Sequence, residues 1–440
     1  MRKRQKKIVS GLIVCALLCV WVGDTVAKNT LPHESPDTSG SGMAKRSDEV
    51  AAIDEILKAM QQGDAPTLIT LYRSTSEPVV HVWAAMALER VYFNLDAASA
   101  DAKVCEQNLF ETRPRIALLC GQFESGNLRL AGSAKEADDK ETELVTRYQG
   151  HGLEKALAGM QDYRHRMDGI PALVVEQPAA TTTLVLKQAS ASPVFTAKAN
   201  GHNFDLMLDT GASDLVLGQE QAHNFGVKLL DRSMRVDGIL SKGVPAQRGL
   251  LDTLQFGDIM LRHVPVIVVP QSIALLGANL VAPLGALRVS RSALTISGTR
   301  QPLSRSICDA PMLIASDLWG RTLTVVPQLL INGTSHAVML DTGAARYLIG
   351  SKQALNEVTT LHRGKSAVGD IGDIYAFASV KNAKVNITIA GQPIDMYFDV
   401  YSNSDTRWAI TLGAGALRDM DFVFDFQHQR MCFALHPDLR

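Results

Sequence analysis

Two short runs carry the chemistry this chain could perform: Asp209-Thr210-Gly211 and Asp341-Thr342-Gly343, each followed by an alanine, Ala212 or Ala344. A single Asp-Thr-Gly says little, because Asp and Gly are common in turns. Two copies raise the possibility of a carboxylate pair. Carboxylates held about 3 Å apart cannot both ionise, so they share one proton and titrate as a coupled pair. The ionised partner can then take a proton from water while the protonated partner supports the oxyanion that develops on a peptide carbonyl. This chemistry requires no metal and no cofactor, and the sequence offers neither: Cys308 and Cys432 have no His or Cys at ligand spacing. The eleven histidines, among them His81, His165, His202 and His336, show no pairing with a Ser or Cys nucleophile motif, which disfavours a serine or cysteine hydrolase.

The elements that must position the two aspartates repeat along with them. Val194 to Ala212 and Val326 to Ala344 superpose without a gap. In each, an Asn-Gly pair (Asn200-Gly201, Asn332-Gly333) sits between alternating apolar runs, a strong hairpin signal, and the second run leads directly into the aspartate. About 70 residues after each aspartate comes a second landmark, Leu275-Leu276-Gly277-Ala278 and Thr411-Leu412-Gly413-Ala414. Leu276 and Leu412 are expected in the core, with the glycines letting their strand pass close behind the active loop. Each half ends in a hairpin-like pair, 287–289 with 294–296 and 422–426 with 431–433. This arrangement, over roughly Leu184 to Phe433, resembles the retropepsin-like aspartic proteases, whose mostly β lobes meet with their Asp-Thr-Gly loops face to face.

The resemblance implies that Asp209 and Asp341 form the catalytic dyad of an aspartic-type endopeptidase acting on protein or peptide substrates. It implies that Thr210 and Thr342 lock the loops together, that Gly211 and Gly343 allow close backbone approach, and that Ala212 and Ala344 stand where pepsin-like enzymes commonly carry a Ser or Thr that hydrogen-bonds the carboxylate. With both donors absent, the working range should move toward mildly acidic or near-neutral pH. Gly238 and Ile239, and Val368 and Gly369, stand where the family places substrate-closing flaps, although ordinary surface hairpins explain the same pattern. Ser213-Asp214 follows the first motif but Ala345-Arg346 the second, a difference consistent with unequal subsites or with the loss of a supporting ion pair in one lobe.

Length and composition frame the rest. A chain of 440 residues exceeds one ordinary core, and 46% hydrophobic with 20% charged residues suits a folded protein. Lys plus Arg (44) nearly balances Asp plus Glu (45), so no broad positive field invites nucleic acid. A basic run followed by Ile8 to Val22 and Thr25-Val26-Ala27 predicts a signal peptide over 1–27, directing export to a periplasmic or secreted location, with an uncleaved membrane anchor as the alternative. The Pro-, Ser- and Gly-rich stretch 28–47 reads as a flexible linker. Residues 48–168 carry helical periodicity, Val50, Ile53, Ile56, Leu57 and Met60 first, and predict a helical domain of either tetratricopeptide-like hairpins or an irregular bundle. Its length suits an independent core and a substrate- or partner-recognition role. A first β lobe over 169–297, an inter-lobe linker over 298–321 and a second lobe over 322–440 complete the expected layout. Cys105 and Cys120 either bridge neighbouring helices or remain buried thiols. A non-catalytic peptide-binding or envelope scaffold protein is the competing function.

Overall fold

The computed structural model describes residues 40–167, 170–176, 181–188, 190–238, 240–298, 308, 310–356, 359–369, 371, 376–402, 404 and 406–437. The expected signal segment therefore lies outside the described residues, as does Ile239. No described helix is long and apolar enough to cross a membrane.

The amino-terminal part is helical: α1 (Gly40–Gln62), α2 (Ala65–Ser74), α3 (Pro78–Val91), α4 (Leu95–Leu109), α5 (Pro114–Leu130), α6 (Ala134–Arg147) and α7 (Glu154–Met167). Each boundary has a local cause. Gly63 takes a left-handed backbone (φ 66°) after α1, and Asp64 opens α2 by accepting from the Thr67 amide (3.1 Å) and hydroxyl (2.7 Å). Proline stands in the first turn of α2, α3 and α5, where its missing N–H has no partner to lose. The helical periodicity over 134–163 is continuous in the sequence. Two helices form instead of one, because Gly150 (φ 80°) and Gly152 (φ 72°) break the ladder between them. Residues 40–47 of the expected linker belong to α1, so the low apolar content there did not prevent continuation of a helix nucleated downstream. Helices α1 to α5 pack around Ile53, Ile56, Met60, Trp83, Met86 and Phe123, and α6 and α7 close over Ala117 and Leu118 of α5 with Leu144, Tyr148 and Met160. Cys105 on α4 and Cys120 on α5 are disulfide-bonded, with Cα atoms 6.0 Å apart.

From Val174 onward the chain is β-rich. The two terminal hairpins seen in the sequence, Ala286–Val289 with Ala293–Ser297 and Met420–Asp425 with Arg430–Leu435, do not stay in separate lobes. Ala286–Val289 pairs antiparallel with Met420–Asp425, Leu287 opposite Phe424, and with Thr182–Val185 they form one five-stranded sheet joining the lobes. Leu287, Val289, Leu294, Ile296, Phe422 and Phe424 are all buried there. A disulfide between Cys308 and Cys432 fastens the middle of the inter-lobe segment to the last strand.

The segment 298–321, expected to be a linker, is partly a buried strap. Ile314–Ser316 pairs with Leu323–Val325, and Leu313 and Leu318 complete the helical core. Arg90 of α3, fully buried, donates to the carbonyls of Asp317 (3.0 Å) and Leu318 (3.1 Å), to Asn127 Oδ1 (2.6 Å) and to the Phe123 carbonyl. Burial pushes its guanidinium down to about 9. Gly126 and Gly320 bring α5 and the strap into backbone contact. The helical region was expected to hold an independent core. It shares its core with the strap because Met312-Leu313-Ile314 has apolar side chains on both faces, one toward the helices and one toward the β core.

Candidate active site

Each aspartate is placed by the same local sequence of events. Asn200 (φ 46°) with Gly201 (φ 87°), and Asn332 (φ 51°) with Gly333 (φ 84°), occupy the left-handed region that a two-residue type I′ turn demands. The turns are anchored alike: Asn200 Oδ1 accepts from the Thr253 amide (2.9 Å), Asn332 Oδ1 from the Asn386 amide (3.0 Å). The returning strands, His202–Leu208 and Thr334–Ala337 continued by Met339–Asp341, deliver Asp209 and Asp341 to the centre of the molecule. Behind each lies the second landmark as a parallel neighbour, Leu208 beside Leu276 and Asp341 beside Gly413. A Cβ at Gly277 would lie 2.4 Å from the Ser213 carbonyl carbon, and one at Gly413 would lie 2.2 Å from the Arg346 carbonyl oxygen, so only glycine admits this approach. Leu276 and Leu412 are core residues.

The loops interlock across the lobe interface. Thr210 Oγ1 donates to the Leu340 carbonyl (2.8 Å) and accepts from the Thr342 amide (3.0 Å), and Thr342 Oγ1 donates to the Leu208 carbonyl (2.8 Å) and accepts from the Thr210 amide (3.1 Å). Each glycine passes over the opposite carboxyl: a Cβ on Gly211 would meet Asp341 Cγ at 2.8 Å, one on Gly343 would meet Asp209 Cγ at 2.5 Å. Ser192, which no sequence signal singled out, adds a bond from its buried hydroxyl to the Gly343 carbonyl (3.0 Å).

Both carboxyls are fully buried. Asp209 Oδ1 accepts from the amides of Gly211 (2.9 Å) and Ala212 (3.1 Å), and Asp341 Oδ1 from those of Gly343 (2.8 Å) and Ala344 (3.1 Å). Backbone amides thus supply hydrogen bonds where the alanine side chains cannot. Even so, burial, together with the neighbouring Asp341 carboxyl, pushes Asp209 well above the usual carboxylate range, outweighing the lowering by the two amides. Carboxyls this close cannot both ionise freely and titrate as a pair. Among the described residues no group of His, Cys, Asp and Glu could hold a metal ion.

The two hairpins above the dyad reach across the pseudo-dyad. The first joins Lys228–Val236 to Val244–Phe256, its turn tied by Gly243 N to Asp237 Oδ1 (2.8 Å) and Gly238 N to the Ser241 carbonyl (2.8 Å). Near its tip, Leu240 packs against Ala344, Val368 and Tyr401 of the second lobe. The second hairpin joins Thr359–Val368 to Ala376–Ile389, and Ile371 beyond Gly369 is fully buried against Ala212, Val236 and Leu275 of the first lobe. Leu240 and Ile371 were not singled out from sequence; an apolar residue inside a short polar turn was the available signal. A groove of about 480 Å³ flanks the first hairpin, lined by Met234, Arg235, Ala246, Gln247 and Val269 among others. On the second side, exposed Arg346 extends to Ser366 Oγ (3.4 Å), while Asp214 stands at the matching point of the first.

Residues 195–280 match the aspartyl protease family. Among solved structures, a retropepsin-like aspartic protease from Rickettsia conorii is similar at 20% identity over 28% of this chain and 91% of that one, with a TM-score of 0.22. The aspartic proteinase from Irpex lacteus is similar at 12% identity over 59% of this chain and 98% of that one, with a TM-score of 0.38. No curated protein matches. The family match spans the Asp209 loop, and the Asp341 loop repeats that loop's geometry, so the chain resembles the aspartyl protease family.

Proposed function

We propose that the chain is an exported aspartic endopeptidase in which Asp209 and Asp341 activate one water between them and so hydrolyse peptide bonds. The observation that carries the reading is the interlocked pair of buried carboxyls, each held by two amides on Oδ1, with Asp209 inclined to keep a proton. The ionised carboxylate takes the water's proton, the hydroxide attacks the scissile carbonyl, and the protonated carboxyl hydrogen-bonds the resulting oxyanion before the amine departs with a proton. Because both carboxyls are covered, Leu240 and Ile371 must leave their apolar seats for a peptide to enter. The substrate is then an unfolded or extended protein segment. The helical domain serves as the substrate- or partner-recognition module, and the leader 1–27 directs the protein to a periplasmic or secreted location.

The test is cleavage of an unfolded protein and a mixed peptide library by the purified protein, with and without a statine-type inhibitor. Cleavage that the inhibitor blocks, and that Asp209→Asn removes, supports the assignment. A folded wild-type protein that cleaves nothing between pH 4 and pH 7 yet still binds peptides points to the non-catalytic alternative.

A further inference from the structure

We propose that the helical domain fixes the position of the Asp341 loop more directly than that of the Asp209 loop, through Trp408. An α-helix ends with carbonyls that have no partner within the helix. At the end of α1 two of these are met from the second lobe: Trp408 Nε1 donates to the Gln62 carbonyl (2.8 Å), and Arg407 Nη1 to the Gln61 carbonyl (3.1 Å). A cation and a donor at the negative end of a helix are electrostatically matched to it. The next residue, Gly63, presses on the second lobe too, since a Cβ there would lie 3.0 Å from Val326 Cβ and 3.1 Å from the Ile314 carbonyl oxygen.

What Trp408 touches gives the contact its consequence. The ring, only 4% exposed, packs with Ala315, Val326 and Met339. Met339 begins the strand Met339–Asp341 that ends in the candidate catalytic carboxyl. Two residues beyond Trp408 begins Ile410–Gly413, the parallel neighbour that places Gly413 beside Asp341. One indole thus touches the strand bearing Asp341 and leads the strand that backs it, while its N–H is committed to α1. The first lobe is tied less directly: Asn279, just after Gly277, donates to the Arg321 carbonyl of the strap (2.7 Å). At its matching point, Ser272 packs on Gly218 of the same lobe, where a Cβ would lie 2.9 Å from the Ser272 Cα. Displacing α1 should therefore move the Asp341 carboxyl more than the Asp209 carboxyl, which makes Trp408 a positioning residue and the helical domain a control on dyad geometry.

Trp408→Phe keeps an aromatic ring, smaller than the indole, and removes the N–H. The primary readout is amide hydrogen exchange by mass spectrometry, which needs no substrate and so stands apart from the peptidase reading. The variant should exchange faster over 339–346, which contains the Gly343 and Ala344 amides bound to Asp341, and to a smaller degree over 207–214, whose Thr210 amide is bound to Thr342. In the kinetic arm, which rests on the peptidase reading, kcat should fall on the order of 10-fold with KM unchanged, as expected for a misplaced reacting group. Faster exchange confined to α1, or equal acceleration in both loops, would overturn the proposal. Should Trp408→Phe not fold, Arg407→Met removes the companion donor and must show the same asymmetry. A wild-type protein without cleavage activity would sink the peptidase reading while the exchange comparison still decides this one.

Discussion

Replacing Thr342 by Val tests how the dyad is held. Valine keeps the shape of threonine and deletes the hydroxyl, which in the native protein donates to the Leu208 carbonyl at 2.8 Å and accepts from the Thr210 amide at 3.1 Å. The site is fully buried, so water cannot take over either bond. A buried polar group stripped of its partner costs about 1–3 kcal/mol, so two of them cost about 2–6 kcal/mol. At about 2–4 °C per kcal/mol, the melting temperature should drop by roughly 5–20 °C. Both bonds cross the lobe interface, so the loss also loosens the relation between the carboxyls, and kcat should fall more than KM rises. Thermal unfolding followed by circular dichroism, with cleavage measured well below the transition, reads both effects. Thr342→Ser retains the hydroxyl and should recover most of the stability. A valine variant with wild-type melting temperature and wild-type kcat would refute the argument that the threonine lattice holds the two lobes.

Asp209→Asn and Asp341→Asn should each abolish cleavage while leaving the fold intact, and mixing the two proteins should restore little, because the five-stranded sheet already commits one lobe of each kind to every molecule; activity that survives in either variant and rises with enzyme concentration would show lobes pairing between chains. The raised proton affinity of Asp209 means the folded state binds more protons than the unfolded state above about pH 4, so this contribution to stability is present in acid and is lost as pH rises through the folded-state value. Asp209→Asn should therefore gain melting temperature over wild type as pH rises from 4 to 8, and a constant difference across that range would contradict the shift. The Ala212→Ser, Ala344→Ser double variant adds donors to the ionised carboxylates and should move the optimum of kcat to lower pH; an unchanged or higher optimum would assign control of the titration to other groups.

Features that depend on near neighbours in the chain can be read from the residues alone. Asn200-Gly201 and Asn332-Gly333 are legible as turns because a left-handed backbone is a local demand that few residues meet. The paired Asp-Thr-Gly-Ala runs are legible as equivalent because each follows its turn at the same register, and the helical region because an apolar stripe such as Ile53, Ile56 and Met60 has its own period. Other features depend on chain segments far apart in sequence, and no local pattern encodes them. Cys308 meets Cys432, Leu287 meets Phe424, Leu240 and Ile371 exchange lobes, and Trp408 reaches back to Gln62. Residues 313–318 looked like a linker because a short apolar run has no period of its own, and only the helices packed on one side and the β core on the other made it a strap. The two carboxyls were identifiable from their own neighbours; the elements holding them at a common point came from surfaces that only the folded chain brings into contact.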